Sequence, residues 1–147
     1  MKYDVKEILK TAIDQDVSDI FFVAGSPYAF MIKGIIQKVG DDFLRPADTE
    51  DIIRQLYELE GTRDFDTFVN TGDDDYSFSL PGVGRFRVNA YRQRNSLAAT
   101  LRVVRFGIPD YLKLGIPDEV IELHKAKKGM IIVSGPWPWE WNRWGYV

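Results

Sequence analysis

Asp75-Tyr76-Ser77-Phe78-Ser79-Leu80-Pro81-Gly82-Val83-Gly84-Arg85-Phe86-Arg87-Val88-Asn89-Ala90-Tyr91 decides whether the middle of this chain is sheet or helix. Tyr76, Phe78 and Leu80 alternate with Ser77 and Ser79; Phe86, Val88 and Ala90 alternate with Arg85, Arg87, Asn89 and Tyr91. A period of two sends the apolar set to one face of a sheet and the polar set to the other. Pro81-Gly82-Val83-Gly84 supplies the turn chemistry between the two runs, so a hairpin is predicted, its second strand apolar on one side and cationic on the other. The β-rich segment from Leu97 to Phe106, with Leu101, Val103 and Val104 as core candidates, adds the third strand of an antiparallel meander.

Upstream, Val5, Ile8, Leu9, Ala12 and Ile13 recur at helical spacing and predict an amphipathic first helix. Asp19 to Val23 and Phe30 to Val39, interrupted by Gly34, predict three strands, the last two a hairpin. Asp48 is the predicted cap of a second helix carrying Ile52, Ile53, Leu56 and Leu59 and stopped at Gly61. Phe65, Phe68 and Val69 predict a short third helix within Thr62 to Val69. Asp73-Asp74-Asp75 reads as a solvated turn, without the glycine spacing of a calcium loop. The fold class is α+β: an antiparallel sheet of five or six strands with helices mainly on one face.

Composition bounds the function. The chain has 147 residues, 45% hydrophobic and 28% charged, enough for one domain and a short extension. A net charge of -3 gives no general attraction to nucleic acid or an anionic membrane, so a cationic function has to come from a local cluster. Without cysteine there is no disulfide, thiolate metal site or Cys nucleophile. His124 is the single histidine and is expected on a helix surface, which leaves no His-based metal cluster or triad. The first residues lack the apolar core of a secretory signal and no window is long and apolar enough to span a bilayer, so a cytoplasmic protein without direct membrane insertion is expected.

Gly107-Ile108-Pro109 and Gly115-Ile116-Pro117 flank a connection with two breakers, a reasonable boundary between domains. Pro117-Asp118-Glu119 opens a helix, and Met130-Ile131-Ile132-Val133 reads as a buried strand. This strand ends in Ser134-Gly135-Pro136, the way a strand enters a phosphate-binding loop, although many folds without nucleotides carry such an ending.

Ser18-Asp19-Ile20, Gly84-Arg85-Phe86-Arg87-Val88-Asn89-Ala90-Tyr91, Leu114-Gly115-Ile116-Pro117 and Lys128-Gly129-Met130-Ile131-Ile132-Val133-Ser134-Gly135-Pro136 occur here in family order, and on them the chain resembles PilT-like type IV pilus retraction (twitching motility) ATPases of the secretion ATPase superfamily. The resemblance implies a PAS-like N-terminal domain over residues 1–107, a linker over 108–116 and the first helix and strand of a RecA-like ATPase domain over 117–136. Where the family usually carries a histidine after Ser-Asp-Ile, this chain has Phe21-Phe22. The family pattern would continue after Gly135-Pro136 with Thr-Gly-Ser-Gly-Lys-Ser. Here the chain reads Trp137-Pro138-Trp139-Glu140-Trp141-Asn142-Arg143-Trp144-Gly145-Tyr146-Val147. Set against that pattern, the resemblance implies that this chain lacks the phosphate lysine and the later carboxylates that would hold magnesium, with Ser134, Gly135 and Pro136 expected as the vestigial start of the loop. All four tryptophans lie in this atypical tail over 137–147; a shifted reading frame, an engineered tail and rings filling an apolar groove are open readings, with an aromatic binding platform a fourth.

Arg85, Arg87, Arg92, Arg94, Arg102 and Arg105 fall close together in the meander. They are either a solvated strand face paired with Asp or Glu, or a phosphate-recognising surface. The resemblance implies that Arg85, Arg87, Arg102 and Arg105, with Arg87 and Arg102 first, reach nucleotide on the ATPase domain of a neighbouring subunit. It also implies no ATPase activity and no cofactor in this chain, ATP and Mg in the full-length hexamer, and a role in oligomerisation and nucleotide gating. Expected partners are other copies, a neighbour's ATPase domain and, at the inner membrane, the pilus machinery; no nucleic acid is expected. The alternatives are a PAS-like sensor with a small ligand in its core and the equivalent domain of a type II secretion ATPase.

Overall fold

The computed structural model describes residues 2–104, 111–112, 115–132 and 134. Contacts divide the chain into a unit over Met1–Phe106 and a second over Gly107–Val147.

In the first unit, helix α1 (Val5–Asp14) starts where the Asp4 carboxylate accepts the Glu7 N–H at 3.2 Å, and it buries Val5, Ile8, Leu9 and Ala12. Helix α2 (Pro46–Glu60) begins three residues before its predicted start, with Arg45 rather than Asp48 at the cap position. Pro46 takes the first helical position, where its fixed φ and missing N–H cost nothing, so Asp48 lies inside the first turn and reaches back to accept the Arg45 N–H at 2.8 Å. Gly61, at φ 86°, closes α2 in the left-handed region as expected. Helix α3 runs Phe65–Thr71, capped by Asp64 and closed by Gly72; it carries Phe65, Phe68 and Val69 as expected and extends two residues beyond the predicted segment.

The strands are β1 (Asp19–Phe22), β2 (Ala29–Ile32), β3 (Ile35–Lys38), β4 (Asp73–Leu80), β5 (Gly84–Gln93) and β6 (Ser96–Val104). They form one six-stranded antiparallel sheet in the order β3-β2-β1-β6-β5-β4. Both predicted hairpins are present; Lys33 and Gly34, at φ 51° and 79°, make the two-residue turn between β2 and β3. The three acids predicted as a solvated turn lie instead in β4, because Asp73, Asp74 and Asp75 pair with Tyr91, Ala90 and Asn89 and continue the ladder.

Register fixes what each face carries. Tyr76, Val88, Leu101, Ile20 and Phe30 form one row across five strands, and this row joins the residues of α1, α2 and α3 in the core. Phe22, Phe30, Phe68 and Phe86 are fully buried there, each stabilising by roughly 2–3 kcal/mol on the usual area scale. The next row, Ser77, Arg87, Arg102, Asp19, Met31 and Ile36, crosses all six strands on the opposite face. The helices therefore cover one face and leave the arginine-bearing face outside the main core.

In the second unit, Pro117 precedes a short helix α4 (Asp118–Glu122), followed by a 3-10 turn over Leu123–Lys125 on which His124 is exposed. Tyr111 donates its hydroxyl to Asp118 at 2.8 Å. Residues 130–132 form no strand, and Met130, Ile131 and Ile132 are exposed, contrary to the buried strand expected there. A strand needs a hydrogen-bonded neighbour, and among the described residues no strand pairs with this segment.

Candidate functional site: the cationic sheet face

Alternation along β5 sends Arg85 and Arg87 to the face opposite the helices, and the β5–β6 register sets Arg102 directly across from Arg87. These three arginines are the cluster that the structure assembles. Arg92 faces the helical side, where its guanidinium donates to the Val69 carbonyl, and Arg94 occupies the β5–β6 turn at φ 56°. Arg105, Gly135 and Pro136 lie outside the described residues, as do the tail residues 137–147. Ser134 is exposed, within the second unit.

Each arginine has a partner. Arg87 forms a two-pronged pair with Asp75, Nε to Oδ1 at 3.0 Å and Nη2 to Oδ2 at 2.8 Å. Arg102 donates from Nε to Asp19 Oδ1 at 3.0 Å, and Arg85 donates from Nη2 to Ser77 Oγ at 3.1 Å. The two β5 arginines lean alike: Arg85 stands opposite Ser79 but reaches Ser77, and Arg87 stands opposite Ser77 but reaches Asp75. The hydrogen bonds from Arg87 hold the Asp75 carboxyl below its ordinary range, with desolvation opposing, and the same bonds hold the Arg87 guanidinium more firmly charged. The side chains of Arg87 and Arg102 are 65% and 68% exposed, whereas that of Asp19 is only 12% exposed.

Sequence reasoning found the arginines by period and missed Asp19 and Asp75 as their partners. Asp75 carried a signal, since it continues the alternation Asp75, Ser77, Ser79. Asp19 carried none, because the β1–β6 pairing that sets it opposite Arg102 joins residues 83 positions apart. Asp74, on the helical side, accepts the Tyr57 hydroxyl and the Arg63 guanidinium, both at 2.7 Å. Among the described residues no group of three or more His, Cys, Asp or Glu is arranged to hold a metal ion, and no helix is long and apolar enough to cross a membrane.

What this face can do chemically follows from the guanidinium: a planar fork of donors that stays charged and matches carboxylate or phosphate oxygens. Directly opposed residues on adjacent strands have Cβ atoms about 5 Å apart, so the side chains of Arg87 and Arg102 start from neighbouring positions on this face.

No family model matches the chain. Its relatives include two type IV pilus ATPases: PilT and PilU of Pseudomonas aeruginosa are each 28% identical, over 136 and 132 residues, about 90% of this chain and 38% and 34% of theirs. The chain thus spans a little over a third of the length of the curated relatives it matches. Its fold matches the crystal structure of the pilus retraction motor PilT with bound ADP, with a TM-score of 0.68 and 38% identity over 91% of this chain and 38% of that one. The Legionella pneumophila ATPase DotB shares the fold, with a TM-score of 0.63 and 24% identity over 80% of this chain and 33% of DotB.

Proposed function

We propose that this chain is the N-terminal oligomerisation and nucleotide-gating domain of a type IV pilus or secretion motor ATPase, and that its cationic face meets phosphate held by a neighbouring subunit. The observation that carries this reading is the juxtaposition of Arg85, Arg87 and Arg102 on the face opposite the helices of a sheet whose likeness is to an ADP-bound pilus motor. Guanidiniums brought to a nucleotide from another subunit neutralise charge that grows on a phosphoryl group in transfer.

Nucleotide chemistry in this reading falls to the ATPase domain of the assembled motor, because Ser134-Gly135-Pro136 leads into Trp137-Pro138-Trp139 rather than into a lysine-bearing phosphate loop. In this reading residues 1–107 are the PAS-like domain, 108–116 the linker and 117–136 the opening of a RecA-like domain. The assembly works in the cytoplasm, against the inner-membrane pilus machinery.

Two measurements test it. Purified chain at millimolar ATP and magnesium should release no phosphate above a blank; turnover would overturn the non-catalytic assignment. Pyrophosphate should bind the chain, and replacement of Arg85, Arg87 and Arg102 together by alanine should abolish that binding. Equal affinity in the triple variant would overturn the phosphate-site assignment.

A further inference from the structure

Arg87 and Arg102 stand side by side, yet their donors are committed differently. Arg87 spends the Nε–Nη2 edge of its guanidinium on Asp75, the same two-donor edge that grips a phosphate. Arg102 spends only Nε on Asp19, and among the described residues its Nη groups have no hydrogen-bond partner. The carboxylates differ as well. Asp75 lies on edge strand β4 with its side chain 45% exposed, so water can take over its hydrogen bonds when Arg87 leaves. Asp19 lies on central strand β1, 12% exposed, where separation from Arg102 would strand a nearly buried charge.

We infer that Asp75 is an internal competitor for the anion that Arg87 would take, whereas Asp19 is a fixed positioning residue that aims Arg102. The inference rests on the phosphate-site reading above and adds the regulation of that site. A phosphate group meets the Nη donors of Arg102 without displacing anything, and gains Arg87 only by exchanging places with the Asp75 carboxylate. Arg102 therefore sets where the ligand docks, and the Asp75–Arg87 pair sets how tightly. This exchange gives the face two arrangements, Arg87 on Asp75 or Arg87 on ligand, which a bound phosphate biases by its differential affinity.

The test is a pyrophosphate titration of the purified chain at fixed ionic strength, followed by the Nε–Hε NMR signals of the arginines. Asp75→Asn keeps the shape and removes the charge; it should bind pyrophosphate about two- to fivefold more tightly, the worth of an exposed ion pair converted to an affinity ratio. Asp73→Asn is the control for simple loss of negative charge, since Asp73 shares the face of β4 two residues away and, among the described residues, has no hydrogen bond or ion pair to an arginine. Its affinity should stay closer to that of the parent chain. Asp19→Asn should weaken binding and move the Arg102 signal in the unliganded protein.

In the parent chain the Arg87 signal should shift on titration from its Asp75-paired position. Asp75→Asn binding no tighter than the parent, or Asp73→Asn tightening it equally, would overturn the competitor role. Binding that requires the arginines but ignores Asp75 sinks this inference alone; no pyrophosphate binding in any variant sinks the phosphate site together with it.

Discussion

Arg87 faces Arg102 across the β5–β6 ladder, two cations in direct register, and each is held by a carboxylate on its outer side, Asp75 on β4 and Asp19 on β1. Like charges opposite one another destabilise a sheet, and the two flanking acids offset that repulsion. Their removal should be unequal. Arg102→Ala leaves Asp19 nearly buried and without its guanidinium, an arrangement that costs on the order of 1–3 kcal/mol. Arg87→Ala leaves Asp75 in water and relieves the cross-strand repulsion, so its urea midpoint should stay with the parent's. Equal losses in the two variants would show that the burial of Asp19 is not what separates them.

Acid should unfold the first unit through its capping and paired carboxyls. Asp48 is lowered from its ordinary value of 3.8 chiefly by the Arg45 side chain, Asp64 by the Thr67 hydroxyl and N–H, and Asp75 by Arg87. Glu60 is lowered from 4.5 chiefly by the Thr62 hydroxyl. A carboxyl depressed in the folded state contributes stability that is fully present above its unfolded value and is lost as pH falls through the folded one. The urea midpoint should therefore hold steady between about pH 7 and about pH 5 and decline below about pH 4. In Asp64→Asn the midpoint should be lower at neutral pH and decline less steeply in acid. A parallel acid limb in that variant would remove Asp64 from the account.

Tyr57 and Tyr76 are packed together, ring centroids 5.0 Å apart, yet their hydroxyls are in opposite situations. Tyr57 donates to Asp74 at 2.7 Å; the Tyr76 hydroxyl is buried with no hydrogen-bond partner among the described residues. Burial, aided for Tyr57 by the Asp74 hydrogen bond, pushes both phenols well above their ordinary range, so both remain neutral near pH 7. Tyr57→Phe removes a satisfied bond and should cost about 1 kcal/mol, whereas Tyr76→Phe removes a buried unsatisfied group and should be neutral or stabilising. Thermal denaturation of the two variants checks the order, and a larger loss for Tyr76→Phe would reverse it.

The sheet was legible because alternation survives wherever one face is buried: Phe86, Val88 and Ala90 against Arg85, Arg87 and Asn89 determine strand, face and register sense together. Helix starts were less legible. Asp48 satisfies the composition rule for a cap and for a first-turn acid alike, and only the geometry at Pro46 separates the two. The acids at 73–75 were misread because charge argued for solvent, while their ladder partners Tyr91, Ala90 and Asn89 lie on a strand that composition could not yet align with them. The candidate site divides the same way. The arginines come from local period, but Asp19 enters through the long-range β1–β6 pairing, which no window of sequence contains. Met130-Ile131-Ile132 has the composition of a buried strand, and burial is a property of partners as much as of residues.

Gly84 opens β5 at a place where a side chain would collide: a Cβ built there would stand 2.8 Å from Ile13 Cδ1, at the end of α1. Its φ is not in the left-handed region, so the requirement for glycine is space rather than backbone conformation. The obstructing atom is the far end of a flexible side chain, and a cavity of about 210 Å³ lined by Ile13, Val17, Val83, Gly84 and Val103 lies beside it. Gly84→Ala should therefore be accommodated by rotation of Ile13, at a cost below about 1 kcal/mol, less than the 1–3 kcal/mol of a typical overpacked core. Ile13→Val removes the clashing methyl, so the double variant should be more stable than the sum of the single changes implies, with a coupling of about 0.5 kcal/mol or more. Urea unfolding of the four proteins in that cycle measures it. Strict additivity would mean that Ile13 is not what Gly84 makes room for, and a large loss in Gly84→Ala alone would mean that the side chain has nowhere to turn.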